Sequence, residues 1–186
     1  MKGWSSMGRG ADRLVIFPSS LGWIALQGAG VTLKQLSFGR PTPDAALGQL
    51  DPALAAGAVV ARWNPELVKR LQAYAEGARD AFLDVKLDLG PQTEFQRRVV
   101  ARCRAIGYGK VMTYGELALA AGSPRAARAV GSVMRTNRVP LIVPCHRVVA
   151  SGGGMGGYSA GEGVRMKLRL LELEGVEKAP RPRYRA

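Results

Sequence analysis

A chain of 186 residues with 47% hydrophobic side chains is long and apolar enough to bury a core, which excludes a largely disordered protein and suggests one compact unit with a subdomain boundary. Its 27 Lys and Arg against 14 Asp and Glu leave a net charge of +13, so the expected partner is a polyanion. One histidine and two cysteines exclude a zinc cluster of the usual spacings and a disulfide framework, and no apolar run approaches the roughly 18 residues a bilayer span needs.

These features predict a soluble monomer in a reducing compartment, cytoplasmic or, in a eukaryote, nuclear. The N-terminal MKGWSSMGRGADR has no apolar signal core. From Leu14 to Gly39, short apolar stretches are separated by Pro18-Ser19-Ser20 and Gly28-Ala29-Gly30, the pattern of an antiparallel β-meander. Residues 40–62, rich in Ala, Pro and Gly, predict a loop with one irregular helix. Asn64 before Pro65 starts a helix in which Leu67, Leu71 and Tyr74 recur at helical spacing. FLDVKLDL, at 82–89, alternates as a strand would. A boundary is expected at Gly90-Pro91, dividing a small α/β subdomain (1–90) from a mostly helical one (91–176), with a basic tail at 177–186.

Thr93 and Gln96 form a capping box that opens a helix with Phe95, Val99 and Cys103 on one face, and Thr113 and Glu116 repeat the device. That second helix runs about two turns to Gly122, after which Ser123-Pro124 caps and starts a third, reaching Arg135. Helix, tight glycine turn and helix make a helix-turn-helix, which presents its second helix to a duplex. Ala126, Ala127 and Ala129 would let the backbone approach DNA, while Arg125, Arg128 and Arg135 offer phosphate contacts or a probe into the base stack. An ordinary helical hairpin with solvated arginines fits the spacing equally well; the net charge favours DNA.

VPCHRVV, at 143–149, places Cys145 beside His146, the only histidine. Most free cysteines are buried and inert. Here a proline fixes the approach, an apolar stretch anchors it, and the glycine-rich SGGGMGGYSAGEG follows, with backbone N–H groups that can meet a ligand. Adjacent side chains point apart, so a water would carry the thiol proton to His146, and a carboxylate would hold the imidazole. Val164 to Leu173 form the last helix, where Glu172 and Glu174, two apart, cannot both face the site.

PCHRVV, with MRTNRVPLIV before it and GGYS and LLELEG after it, resembles the active-site region of the O6-alkylguanine-DNA alkyltransferases, the methylated-DNA–protein-cysteine methyltransferases. FQRRVVARCRAIGYGKVMTYGELALAAGSPRAARAVGSVM is similar to the helix-turn-helix half of that family, and SSLGWIALQGAGVTLKQLSFG to its N-terminal meander. The resemblance implies a suicide repair protein that binds double-stranded DNA containing O6-alkylguanine, rotates the nucleotide out, and moves the alkyl group irreversibly to Cys145 without a cofactor or metal. It assigns His146, Glu174 and Asn137 to the catalytic apparatus, Asn137 tying the helix-turn-helix to the active-site segment. Tyr114, Met134, Tyr158 and Ser159 would surround the base, and the carbonyls of Cys145 and Val148 would accept from its exocyclic amine. Arg128 would fill the gap left in the duplex, with Gly115, Ser123, Arg125, Ala126, Ala127, Arg135 and Ser151 along the DNA. The second helix would enter the minor groove.

The sequence departs from the family pattern in two places. It reads Tyr-Ser-Ala-Gly-Glu-Gly after Gly157, a loop two residues longer than usual, and Val100 stands where the family has Trp. Three rival readings are an alkyltransferase-like protein that binds without transfer, against which Cys145 argues; a DNA-binding regulator with a sensor cysteine; and a cysteine hydrolase that turns over.

Overall fold

Alternating apolar residues in the first third of the chain build a sheet whose two faces are both covered. In the computed structural model, which describes residues 11–176, β1 (Arg13–Phe17), β2 (Trp23–Ala29) and β3 (Thr32–Arg40) form the expected antiparallel meander. Ile24, Leu26, Leu36 and Phe38 turn one face to the main core. Leu14 and Ala25 face the other way, against Ala46 and Leu50 around α1 (Pro43–Leu47).

Residues 40–62 are more ordered than the composition suggests. Besides α1 they hold α2 (Pro52–Ala55) and β4 (Val59–Val60), which pairs parallel to β1. Thr42 and Asp51 cap the two helices, each with a proline just inside. α3 (Pro65–Ala75) starts at Asn64 as expected. The strand expected over 82–89 shrinks to β5 (Lys86–Leu87), parallel to β3. Phe82 adopts a left-handed backbone (φ +50°), and Arg104 Nη2 donates to the carbonyls of Phe82, Leu83 and Val85, so this stretch cannot form a ladder. The sheet order is β4-β1-β2-β3-β5.

The second half is mostly helical, and the molecule is α+β. α4 (Glu94–Arg104) and α5 (Tyr114–Ala120) each begin with a complete capping box. α6 (Ala127–Arg135) starts later than the sequence suggests: Ser123 caps nothing with its side chain, and residues 123–126 close a backbone turn from Ala126 N–H to the Ser123 carbonyl (2.9 Å). Between α4 and α5 lies β6 (Met112–Thr113), paired with β7 (Val148–Val149) just after a 3₁₀ turn at Cys145–Arg147. α7 (Val164–Leu173) follows, and Gly175 beyond it is left-handed (φ +70°).

One apolar cluster runs from Phe17 and Ile24 of the sheet through Leu71 and Val99 to Ile142 and Leu170. Among the described residues, no helix is long and apolar enough to cross a membrane. The tail expected at 177–186 lies outside the described residues.

Candidate active site

The apolar run Pro140 to Val143 is fully buried and carries Cys145 into the core. Leu141 adopts φ +73°, a conformation that costs a non-glycine residue about 1–2 kcal/mol. Asn137 clamps the bend that results. Its Nδ2 donates to the Val143 carbonyl (2.8 Å) and to Cys145 Sγ (3.2 Å), while its Oδ1 accepts from Val139 N–H (3.1 Å).

His146 and Arg147, both buried, converge on Glu174 at the end of α7. Glu174 Oε1 accepts from His146 Nε2 (2.9 Å), Arg147 Nη2 (2.8 Å) and the Tyr74 hydroxyl (2.5 Å). Oε2 accepts from Arg147 Nε (2.9 Å) and Gly109 N–H (3.2 Å). Gly109 must be glycine: its φ is +71°, and a Cβ would sit 2.8 Å from the Glu174 carbonyl oxygen. Glu172 is exposed, so of the two candidate carboxylates only Glu174 reaches the histidine.

Burial alone would raise the Glu174 carboxyl, but the hydrogen bonds from His146 and Arg147 and the Arg147 charge outweigh it and hold the group below the usual carboxylate range. An ionised Glu174 only accepts, so the His146 proton sits on Nε2. Nδ1 is buried with no hydrogen-bond partner, and it is the nitrogen able to take a proton. Burial lowers the histidine further, against the pull of Glu174, and keeps it neutral. Burial also pushes the Cys145 thiol above its ordinary value, opposed by the Asn137 bond and the Lys167 charge. The thiol is therefore protonated at rest.

Cys145 lies at a cavity of about 700 Å³ beneath the helix-turn-helix. Tyr114 and Gly115 from α5 and Ala127, Arg128, Met134 and Arg135 from α6 form one wall, and Ser151, Tyr158 and Ser159 the other. Gly156 (φ +70°) packs on the Tyr114 ring, where a Cβ would lie 2.8 Å from Cε2. Arg125 and Arg128 are exposed; Ser123, Arg125 and Ala126 lie on the turn outside the cavity.

Val148 does not line the cavity. Its carbonyl accepts from Lys167 Nζ (2.6 Å), and that of Cys145 accepts from Val148 N–H. The two carbonyls expected to receive a base's amine thus already hold internal donors, with one lone pair each to spare. The longer loop rests on the end of β3: a Cβ on Gly39 would lie 3.1 Å from Gly161 Cα.

The sequence reading missed Tyr74, Arg147 and Lys167. Lys167 had a visible signal, since it lies seven residues before Glu174 and so on the same helical face. Tyr74 had none beyond its place on an apolar face.

A helix-turn-helix set over a buried cysteine, with a histidine and carboxylate behind it, defines a DNA-binding protein built around one thiol. Residues 94–176 match the family model described as 6-O-methylguanine DNA methyltransferase, DNA binding domain. A methylated-DNA–protein-cysteine methyltransferase of Mycobacterium bovis is 40% identical over 158 residues, 84% of this chain and 88% of the relative. The structure is similar to Mycobacterium tuberculosis OGT in complex with DNA, with a TM-score of 0.71 and 35% identity over 91% of this chain and 95% of that one. It is also similar to the O6-methylguanine-DNA methyltransferase of Pyrococcus kodakaraensis KOD1, with a TM-score of 0.69 and 30% identity over 88% and 99%. The chain belongs to the methylated-DNA–protein-cysteine methyltransferase family.

Proposed function

We propose that the chain repairs double-stranded DNA directly, as a monomer, by moving the alkyl group of O6-alkylguanine onto Cys145 in a single turnover. The observation that carries this reading is the thiol at the cavity floor, hydrogen-bonded by Asn137 and followed in sequence by a neutral histidine backed by Glu174. His146 Nδ1 takes the thiol proton, through a water where the side chains diverge. The sulfur attacks the alkyl carbon, the carbon–oxygen bond breaks, and its electron pair stays with guanine O6. A proton then returns to the purine, completing guanine and a thioether. Nothing in the site hydrolyses a thioether, so each molecule acts once.

A guanine inside a duplex cannot bring O6 to a buried sulfur, so the base must leave the stack at a cost of a few kcal/mol. Arg128, exposed at the cavity rim, fills the gap, with Arg125, Arg135, Gly115, Ser123, Ala126, Ala127 and Ser151 along the DNA. Met134, Tyr158 and Ser159 enclose the base, and Tyr114 donates to the departing purine. Burial raises the Tyr114 phenol, which keeps it protonated for that role. The repair chemistry belongs to residues 91–176, with 1–90 as a supporting part.

Intact-mass measurement after incubation with a duplex containing O6-methylguanine tests the reading. One methyl adduct is expected, mapped to Cys145 and absent from Cys145→Ala. Many lesions removed per chain, or removal by Cys145→Ala, would overturn it.

A further inference from the structure

Tyr74 lies on α3, 100 residues before Glu174, yet its hydroxyl ends at the carboxylate that serves the histidine. The ring is fixed: it is 1% exposed, meets Phe82 edge-on at 5.7 Å and Tyr108 at 6.0 Å, and Tyr108 is itself tied by its hydroxyl to the carbonyls of Gly77 and Leu173. The phenolic oxygen stands 2.5 Å from Glu174 Oε1 and 3.4 Å from His146 Nε2, so hydroxyl and imidazole converge on one oxygen.

We infer that Tyr74 is a positioning residue of the transfer reaction: by sharing Glu174 Oε1 with His146, it limits how strongly that carboxylate supports the imidazolium. The inference rests on the reading of Cys145 as acceptor and His146 as its base.

A carboxylate oxygen holds a fixed amount of negative charge, and each donor bonded to it leaves less for the others. Glu174 Oε1 serves donors from three residues, Tyr74, His146 and Arg147. If the phenol is removed, the oxygen binds Nε2–H more strongly, and the protonated imidazole gains most because it carries the charge. His146 then holds a proton to higher pH, and a protonated histidine cannot accept one from the thiol. Tyr74 thus keeps the base free at lower pH.

The phenol is a constant donor, since burial and then the Glu174 charge push its own ionisation far above any working pH. The other titratable groups around the pair are Arg147 of the 3₁₀ turn, Tyr108 after α4, Lys167 of α7, Cys145, and Tyr158 of the glycine-rich loop. All of them stay in place when Tyr74 becomes phenylalanine. A tyrosine that only filled space would be equivalent to phenylalanine in every measurement below.

The test compares wild type with Tyr74→Phe. Single-turnover transfer from an O6-methylguanine duplex is followed from about pH 5 to about pH 9, and His146, as the only histidine, gives one imidazole signal in NMR. In the variant the acid limb of the rate profile should move up by about one pH unit. Transfer near the foot of that limb should fall up to about tenfold, with the alkaline plateau within about twofold and DNA affinity unchanged. The imidazole titration should move the same way.

Superimposable profiles and titrations would overturn the inference, as would an equal loss of rate at every pH. The imidazole titration needs no transfer, so it judges Tyr74 even if wild type forms no adduct on Cys145, a result that would instead sink the proposed function. Should the variant not fold, wild type still decides. A slowly exchanging phenolic proton with a nuclear Overhauser contact to the His146 ring is expected, and its absence would count against the inference.

Discussion

Lys167 is fully buried, and no carboxylate pairs with it among the described residues. Its ammonium donates to the Val148 carbonyl (2.6 Å) and, at 3.4 Å, to that of Gly157, and stands 5.9 Å from the Tyr114 ring centre, which does not repay the lost hydration. Burial lowers its pKa to about 8, against the raising effect of a Cys145 thiolate. A lysine depressed in the folded state destabilises fully below about pH 8 and ceases to do so above its ordinary value of 10.5. Stability from this group therefore rises with pH across that window, by about 3 kcal/mol in total. Denaturant titrations of wild type and Lys167→Met should show the difference, the variant being the more stable at neutral pH and the gap closing towards pH 10. The same variant should raise the apparent pKa for Cys145 alkylation, because the positive charge lowers it. A gap that does not change with pH would mean that the lysine binds its proton equally well folded and unfolded, so that burial does not depress it.

At the scale of the element, the site is a matter of helix ends. The Thr113–Glu116 capping box, worth about 1 kcal/mol, fixes Tyr114 as the first residue of α5 and so points it over the cavity. α6 begins with no side-chain cap, and Arg128, its second residue, lines the cavity. An exposed arginine there contributes little to stability, so its effect belongs in DNA chemistry. Arg128→Ala should slow repair in duplex by roughly a hundredfold or more, since only duplex repair must offset the few kcal/mol of base extrusion. Reaction with free O6-benzylguanine should change by less than about threefold, and equal losses on both substrates would remove the finger assignment. The helix-turn-helix and its arginines were legible from glycine, proline and capping residues. The true start of α6 was not, because a backbone turn took the place of the Ser123 cap.

Across the whole molecule, the sheet-bearing and helical parts of the chain are mechanically joined. Leu36 N–H donates to the Arg138 carbonyl (2.8 Å), Arg169 to that of Ser20 (2.6 Å), and Arg138 to that of Leu89 (2.9 Å). With one apolar cluster shared between sheet and helices, neither half can open without exposing the other's core. Urea unfolding followed by tryptophan fluorescence, whose reporters all lie before residue 64, should coincide with unfolding followed by helical circular dichroism. Two separated transitions would show that the halves fold independently and that Tyr74 can leave the site without global unfolding.

Local chemistry made much of the protein readable in one dimension. The meander came from short apolar stretches divided by turn residues, α3 to α5 and α7 from caps and helical spacing, and the cysteine, histidine, asparagine and carboxylate from segments with a strong family likeness. Such signals survive in sequence because they depend on residues within a few positions of one another. Tyr74 above Glu174, Lys167 against the Val148 carbonyl, and Phe82 left-handed beneath Arg104 left no such mark. Those contacts span 19 to 100 positions and exist only because packing the sheet against the helices brings the groups together in a dry interior, where each hydrogen bond and charge counts for more.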